Sequence, residues 1–271
     1  MKKYCAIVLL ICVLLSSCRT QPIPPASPSP ISEAPSPSVP PEETSSATPT
    51  GEVYAPDLLI EEGFWQQEYR ADDGVLLLNV SYSWPQLSGD FPESMRMHFD
   101  DRRNEAGREA ERLLSQAAEQ REWYVSEGRD FVSYYWEENC GIEYNDGVYL
   151  SVFFEGSCFT GGAHDDETAK TDTFRLSDAQ RITLDDLFAV DREVYVERLS
   201  ALICEEIITD GEDLYYPEYQ RLVRELFPVD CFCLTDDGIA LFYNTCQIAP
   251  SIMRVSRFDL PRTEYEDIWK N

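Results

Sequence analysis

The residues best suited to chemistry lie in the segment CFTGGAHDDET, residues 158–168. It places Cys158 six residues before His164, and two aspartates follow the histidine directly. A thiol beside an imidazole could form a nucleophilic dyad, and a histidine with carboxylates could bind a metal ion. The adjacent Gly161 and Gly162 favour a third interpretation, in which positive φ angles shape the backbone and His164 hydrogen-bonds to the main chain.

Histidine content argues against a metal site. The chain has two histidines, His98 and His164, and neither a His-Glu-x-x-His nor a His-x-x-His motif. A catalytic zinc site needs several nitrogen or sulfur ligands in a preorganised cluster, and metal-dependent polysaccharide deacetylases need a histidine pair. We therefore predict no metal, no cofactor and no catalytic residue, and we interpret His164 as a structural histidine.

Three acidic pairs recur along the chain, at Asp165-Asp166, Asp185-Asp186 and Asp236-Asp237. None has the spacing of an EF-hand calcium loop, so we predict that they are turn and cap residues. Six cysteines follow residue 55, and an even number in an exported domain permits disulfides or free thiols. Both states stay open for these residues: Cys140, Cys158, Cys204, Cys231, Cys233 and Cys246.

The elements that position these residues follow from periodicity. Apolar residues at helical spacing predict one long amphipathic helix over residues 93–122, after a loop at 85–92. Turn sequences at 71–74, 145–147 and 236–238 predict hairpins between strands. Two shorter helices are expected, one marked by Tyr195–Ile207 after a cap at Thr183, and one that opens at Pro217.

Together these elements predict an α+β fold with a mostly antiparallel sheet and one long and two shorter packed helices. We expect two lobes. An N-terminal strand-helix-strand lobe covers residues 56–155, and a C-terminal lobe covers residues 156–271.

The N-terminus predicts export. Lys2 and Lys3 precede an apolar run that is too short to span a bilayer comfortably, so residues 1–17 are predicted to be a signal peptide. The ending Leu-Ser-Ser-Cys resembles the lipobox of bacterial lipoproteins, which implies cleavage before Cys18 and its lipidation. Ten of the 17 prolines lie between Pro22 and Pro49, so residues 18–55 are predicted to be a disordered tether. The expected location is the extracytoplasmic face of the cell membrane.

Charge limits the partners. The chain has 22 basic and 50 acidic residues and a formal charge of −28, and cleavage after residue 17 would make it two units more negative. Nucleic acid is excluded as a partner, because no basic stripe is available to displace counterions from phosphates. Such acidity suits a basic partner, and it also keeps a protein soluble.

Two segments carry a resemblance to a known family. The extracytoplasmic domain of unknown function 3298 resembles this chain in two segments, FTGGAHDDETAKTDTFRLSDAQRITLDDLF and FCLTDDGIALFYNTCQIAP. The segment that usually precedes that domain resembles the residues from Phe64 to about Leu150. This pair occurs in the lysozyme-sensing anti-sigma factor RsiV, before the catalytic domain of a peptidoglycan deacetylase, and in many lipoproteins. The chain departs from the family at Cys246, where tyrosine is common, and at Ser251–Arg254.

The lipobox, the proline-rich tether, the shortage of histidines and the family resemblance together predict a non-catalytic, surface-anchored lipoprotein that binds a protein or a cell-wall glycan. The resemblance suggests a basic, lysozyme-like protein as the partner. Two alternatives stay open. One is an enzyme that modifies envelope glycan through Cys158 and His164 or through the acidic clusters. The other is an assembly lipoprotein that binds another membrane protein. The candidate ligand-binding residues are His164, Asp165, Asp166, Ser251 and Arg254.

Overall fold

The computed structural model describes residues 59–270. It begins with the predicted hairpin, formed by β1 (Leu59–Arg70) and β2 (Leu76–Ser88), whose turn contains Gly74 at φ +85. The predicted signal peptide, Cys18 and nearly all of the tether lie outside the described residues.

The loop predicted from Pro85 onward is wrong in its first half, because β2 continues to Ser88. Pro85 pairs with Glu62 of β1, whereas β3 pairs with β2 only from Leu78 to Tyr82. Beyond Tyr82, β2 is paired with β1 on one side and is not paired with β3 on the other. Pro85 lies in this edge portion of the strand, where proline is tolerated because its missing N–H is not needed for a hydrogen bond to a neighbouring strand.

A long helix, α1 (Glu93–Ser126), follows and confirms the predicted amphipathic helix. It connects β2 to β3 (Tyr134–Asn145), which pair in parallel, as strands joined by a helical crossover can. One stripe of α1 is buried against the sheet at helical spacing, comprising Met95, Phe99, Ala106, Ala110, Leu113 and Ala117.

The remaining strands of the first sheet are antiparallel. They are β4 (Tyr149–Phe159), β5 (Asp166–Arg175) and β6 (Gln180–Arg181), and the sheet order is β1 to β6 in sequence. The lobe boundary predicted between residues 155 and 156 falls inside β4, so the first sheet continues to Arg181. The described residues from 59 onward belong to one compact unit.

The rest of the chain forms three helices and a second sheet. The helices are α2 (Leu184–Leu187), α3 (Arg192–Asp210) and α4 (Tyr219–Glu225). An antiparallel three-stranded sheet follows, formed by β7 (Phe232–Leu234), β8 (Gly238–Tyr243) and β9 (Ser256–Pro261). Thr183 precedes only the single turn α2, and α3 begins after Asp191.

Successive side chains of β5 point to opposite faces of the strand, and each face packs against a different part of the structure. Asp172 contacts His98 of α1 on one face, while Thr171 and Thr173 hydrogen-bond the backbone of β7 at Phe232 on the other. The α+β class with a mostly antiparallel sheet is confirmed. No helix within residues 59–270 is long and apolar enough to cross a membrane.

Candidate functional site

The turn that contains Gly161 and Gly162, here called the glycine corner, joins β4 to β5. Gly161 has φ +90 and Gly162 has φ +132, so the predicted positive φ angles are confirmed. A Cβ on Gly161 would lie 3.5 Å from Oε1 of Gln120, which is an ordinary contact. Backbone conformation, not close packing, is therefore the reason for glycine at this position.

His164 does not lock the corner. Its side chain is exposed, and it makes no hydrogen bond or ion pair with any residue in the described part of the chain. The predicted hydrogen bond from His164 to the main chain is thus absent there, and that part of the interpretation is wrong. The glycine angles and the β4–β5 pairing on either side set the turn instead.

Cys158 is a poor nucleophile in this setting. It lies on β4 opposite Trp136 of β3 and Asp166 of β5. Burial, followed by the charges of Glu109 and Asp166, raises the pKa of Cys158 to about 11. At neutral pH the side chain is a thiol, whereas nucleophilic catalysis uses the thiolate.

The second predicted group lies beside the corner. Ser251 begins a turn of 3₁₀ helix, Ser251–Met253, and Arg254 follows it. Nη1 of Arg254 lies 2.9 Å from Oε1 of Glu167, and Oγ1 of Thr245 donates to the Glu167 carbonyl oxygen at 2.9 Å. The structure therefore brings Arg254 next to the strand that starts with Asp166. Ile252, which lies between Ser251 and Arg254 in sequence, is 86% exposed.

A cleft of about 450 Å³, here called the α1 cleft, opens between α1 and strands β3 to β5. Asp166 and Thr168 bring the end of the glycine corner to one wall, and α1 supplies the opposite wall. The lining residues include Tyr82, Arg102, Glu105, Glu109, Trp136, Glu138, Cys158, Asp166 and Lys170.

The mouth of the cleft is acidic. Glu105, Glu109 and Asp166, here called the acidic rim, come from two elements that are distant in sequence. Side-chain exposure is 70% for Glu105 and 39% for Glu109. Hydrogen bonds from Arg112 lower the pKa of Glu109, so it stays ionised at neutral pH. The rim therefore presents carboxylates to solvent, and two of them have arginine neighbours on α1, with Arg108 3.8 Å from Glu105 and Arg112 2.6 Å from Glu109.

A buried ion network adjoins the cleft and includes three of its lining residues, Arg102, Glu138 and Lys170. Asp172 has 1% side-chain exposure and contacts His98 at 2.9 Å, Arg102 at 3.2 Å and Arg181 at 2.8 Å. Glu138, with 4% side-chain exposure, contacts Lys170 at 2.6 Å. Buried charges are costly unless paired, so these contacts are needed for α1 to dock on the sheet.

The sequence patterns did not predict this network. The available signals were His98 and Arg102 four residues apart on a helix, and Lys170 and Asp172 two apart on a strand. Each pattern places its pair on one face. Neither indicates that the two faces meet, because His98 and Asp172 are 74 residues apart in sequence.

Two buried polar atoms border the cleft without a partner in the described residues, the Tyr82 hydroxyl and Nε of Arg102. Burial, followed by the charge of Glu138, raises the pKa of Tyr82 to about 12. Tyr82 therefore keeps its proton and remains a hydrogen-bond donor.

The other predicted chemical residues have local roles. Asp186 accepts a hydrogen bond from the Thr183 backbone at 2.8 Å, and Asp237 accepts one from the Arg262 backbone through its carbonyl oxygen at 2.8 Å. The six cysteines within residues 59–270 are all free thiols. No group of three or more histidine, cysteine or acidic side chains there is arranged to hold a metal ion.

The sequence matches no protein-family model and no curated protein. A solved member of the domain of unknown function 3298 family from Bacteroides fragilis is similar in structure, with a TM-score of 0.60 and 16% identity over 80% of this chain and 95% of that one. A protein of the same family from Pseudomonas aeruginosa has a TM-score of 0.48 and 15% identity over 80% and 96%. The Bacteroides structure confirms the predicted resemblance at the level of the fold.

Proposed function

We propose that this chain, which has the fold of the domain of unknown function 3298 structure from Bacteroides fragilis, is a non-catalytic binding lipoprotein. Cys18 would carry the lipid, and the domain would lie on the extracytoplasmic face of the cell membrane. Its partner is a basic protein of the lysozyme type, which docks on the acidic rim and the glycine corner.

The acidic rim is the observation that carries this proposal. Glu105, Glu109 and Asp166 converge from α1 and β5 on one open cleft, and Asp165 stands next to them on the corner. Lysine and arginine side chains of a basic partner would pair with these carboxylates. The overall charge of −28 would steer that partner toward the surface.

A cell-wall glycan fits the cleft less well. Sugars are commonly held against open aromatic faces, and the two aromatic residues that line the cleft, Tyr82 and Trp136, are 1% and 8% exposed. The thiol state of Cys158 similarly weakens the enzyme alternative.

Calorimetric titration tests the proposal. The chain from residue 18 onward, with Cys18→Ser to prevent lipidation, is titrated with a basic lysozyme and with soluble peptidoglycan fragments at low and high salt. We expect saturable lysozyme binding that weakens as salt rises, because exposed charges are screened. Substitution of the rim by Glu105→Gln, Glu109→Gln and Asp166→Asn should weaken it about tenfold or more.

The matched control removes three exposed carboxylates elsewhere, with Glu193→Gln and Glu205→Gln on α3 and Glu266→Gln near the C-terminus. This variant has the same net charge as the rim variant, so it separates the rim from general acidity. Equal lysozyme affinity in the two variants, or no saturable binding at low salt, would refute the proposal. Binding of the glycan fragments alone would favour the glycan alternative.

A further inference from the structure

A second cavity, here called the β5 pocket, lies on the other side of Arg102 and Lys170 from the acidic rim. Its volume is about 410 Å³. Its walls are formed by the middle of β5, by β6, by the chain from 226 to 231 and by the segment after β8. The polar side chains that line it include Arg102, Lys170, Arg181, Asp230, Asn244 and Gln247.

The charged side chains that line this pocket are mostly cations, and buried Asp172 and Glu138 pair with them from behind the pocket lining. Arg102, Lys170 and Arg181 line it, and Asp230 is the one acidic side chain among its described lining residues. In a chain of charge −28 such a concentration of cations is unusual. The Lys170 and Arg181 side chains are 50% and 48% exposed, so both can reach a ligand from solvent.

These cations retain unused donors. Nζ of Lys170 contacts Glu138, and its other N–H groups have no acceptor in the described residues. Arg181 uses Nε on Asp172 and Nη2 on the Thr171 carbonyl oxygen, which leaves Nη1. An arginine or lysine cation with open N–H groups is suited to carboxylate or phosphate oxygens.

Two amide side chains add neutral donors. Oδ1 of Asn244 accepts the Ala169 backbone N–H at 2.6 Å, and Oε1 of Gln247 accepts the Asn244 backbone N–H at 2.6 Å. Because both amide oxygens are used in this way, the NH₂ ends are the free ends. Neither NH₂ group donates to a residue within the described range.

We infer that the β5 pocket binds an oxyanionic group, a carboxylate or a phosphate, through Lys170, Arg181, Asn244 and Gln247. The oxygens of such a group would accept hydrogen bonds from the N–H groups of the pocket that have no other acceptor. The site is distinct from the acidic rim and does not depend on the proposed basic partner.

Titration of the anions alone tests the inference. The side-chain and backbone amide resonances of the Cys18→Ser chain from residue 18 onward are followed by NMR during additions of phosphate, acetate or chloride at matched ionic strength. We expect saturable shifts of the Asn244 and Gln247 NH₂ resonances with phosphate or acetate and not with chloride. A stronger response to phosphate indicates a phosphorylated ligand, and a stronger response to acetate a carboxylated one.

Two variants probe the donors without removing the backbone contacts. Gln247→Glu and Asn244→Asp each keep the oxygen that accepts the backbone N–H but replace the NH₂ donor with a charged oxygen. Each should weaken anion binding by about tenfold or more. Gln67→Glu on β1, at the far side of the first sheet, adds the same charge and should leave binding unchanged.

Thermal unfolding of each variant first establishes that it is folded, and either folded variant is sufficient. The inference is overturned if phosphate and acetate shift no pocket resonance beyond the effect of chloride. It is also overturned if a folded Gln247→Glu or Asn244→Asp variant binds the anion as tightly as the parent.

Discussion

At the scale of single residues, the backbone conformation of the glycine corner and the contacts of its side chains differ in how well the sequence predicts them. The backbone conformation could be predicted, because adjacent glycines at a strand junction favour positive φ, and both angles are positive. The contacts of the His164 side chain could not be predicted. Whether His164 reaches a main-chain acceptor depends on the path of the turn in three dimensions, and the turn leaves it exposed.

Alanine at the corner should destabilise the protein through the backbone alone. Gly162 has open space around its Cα, so Gly162→Ala meets no clash and only the strain of φ +132 remains. We expect a loss of about 1–2 kcal/mol in the free energy of unfolding, measured with urea. Gly107→Ala in α1, also without a close neighbour, should instead stabilise by up to about 1 kcal/mol. Equal effects at the two positions would contradict the strain argument.

The two histidines should differ in their effect on stability. His164→Ala removes no described contact and should change the free energy of unfolding by less than about 0.5 kcal/mol. His98→Ala removes a hydrogen bond to buried Asp172 and should cost more than about 1 kcal/mol. Chemical denaturation of both variants makes the comparison, and a larger loss at His164 would restore it as a structural histidine.

Partly buried thiols should make the fold sensitive to alkali. Burial is the main cause that raises the pKa values of Cys158 and Cys231 to about 11, from a reference of 9.0. The folded state holds these protons more tightly, so their contribution to stability is full below pH 9.0 and is lost as pH rises toward about 11. Cys158→Ala should flatten the decline of stability measured by denaturant between pH 8 and pH 11, roughly the interval that these thiols span. An unchanged slope would show that the thiol does not contribute.

At the scale of elements, local sequence patterns predicted the helices and turns that depend on residues close together in the chain. Helical spacing from Met95 onward fixed α1, and Asn-Asp-Gly marked the β3–β4 turn, because both depend on neighbours in sequence. The parallel pairing of β2 with β3 was not predicted, and neither was the extension of the first sheet to Arg181. Both depend on contacts between distant segments, for which periodicity carries no signal.

The docking of α1 on β5 should depend on Asp172. Asp172→Asn removes the buried carboxylate that Arg102 and Arg181 share, while Arg102 keeps Glu138 at 3.5 Å and Arg181 is 48% exposed. Because the remaining cations are still paired or partly solvated, we expect a loss of about 2–3 kcal/mol in the free energy of unfolding. Urea unfolding should show this loss. Asp100→Asn, which removes an exposed partner of Arg103 on the same helix, should cost much less. Similar losses in the two variants would mean that the network contributes little to docking.

At the scale of the whole molecule, net charge permits a basic partner, but it does not locate a surface for one. Composition gives the charge of −28, yet it does not reveal that three carboxylates lie at the mouth of the α1 cleft or that Arg102 and Lys170 line both this cleft and the β5 pocket. This arrangement arises because β5 carries Asp166 at its start, in the acidic rim, and Lys170 four residues later, where it lines both cavities.

Amide hydrogen exchange with and without a basic lysozyme tests the central claim, that this rim is the docking surface, most directly. The account predicts slower exchange on binding in two segments, residues 102–109 of α1 and residues 160–168 at the glycine corner, with α3 unchanged. Protection confined to α3, α4 or the second sheet would contradict it.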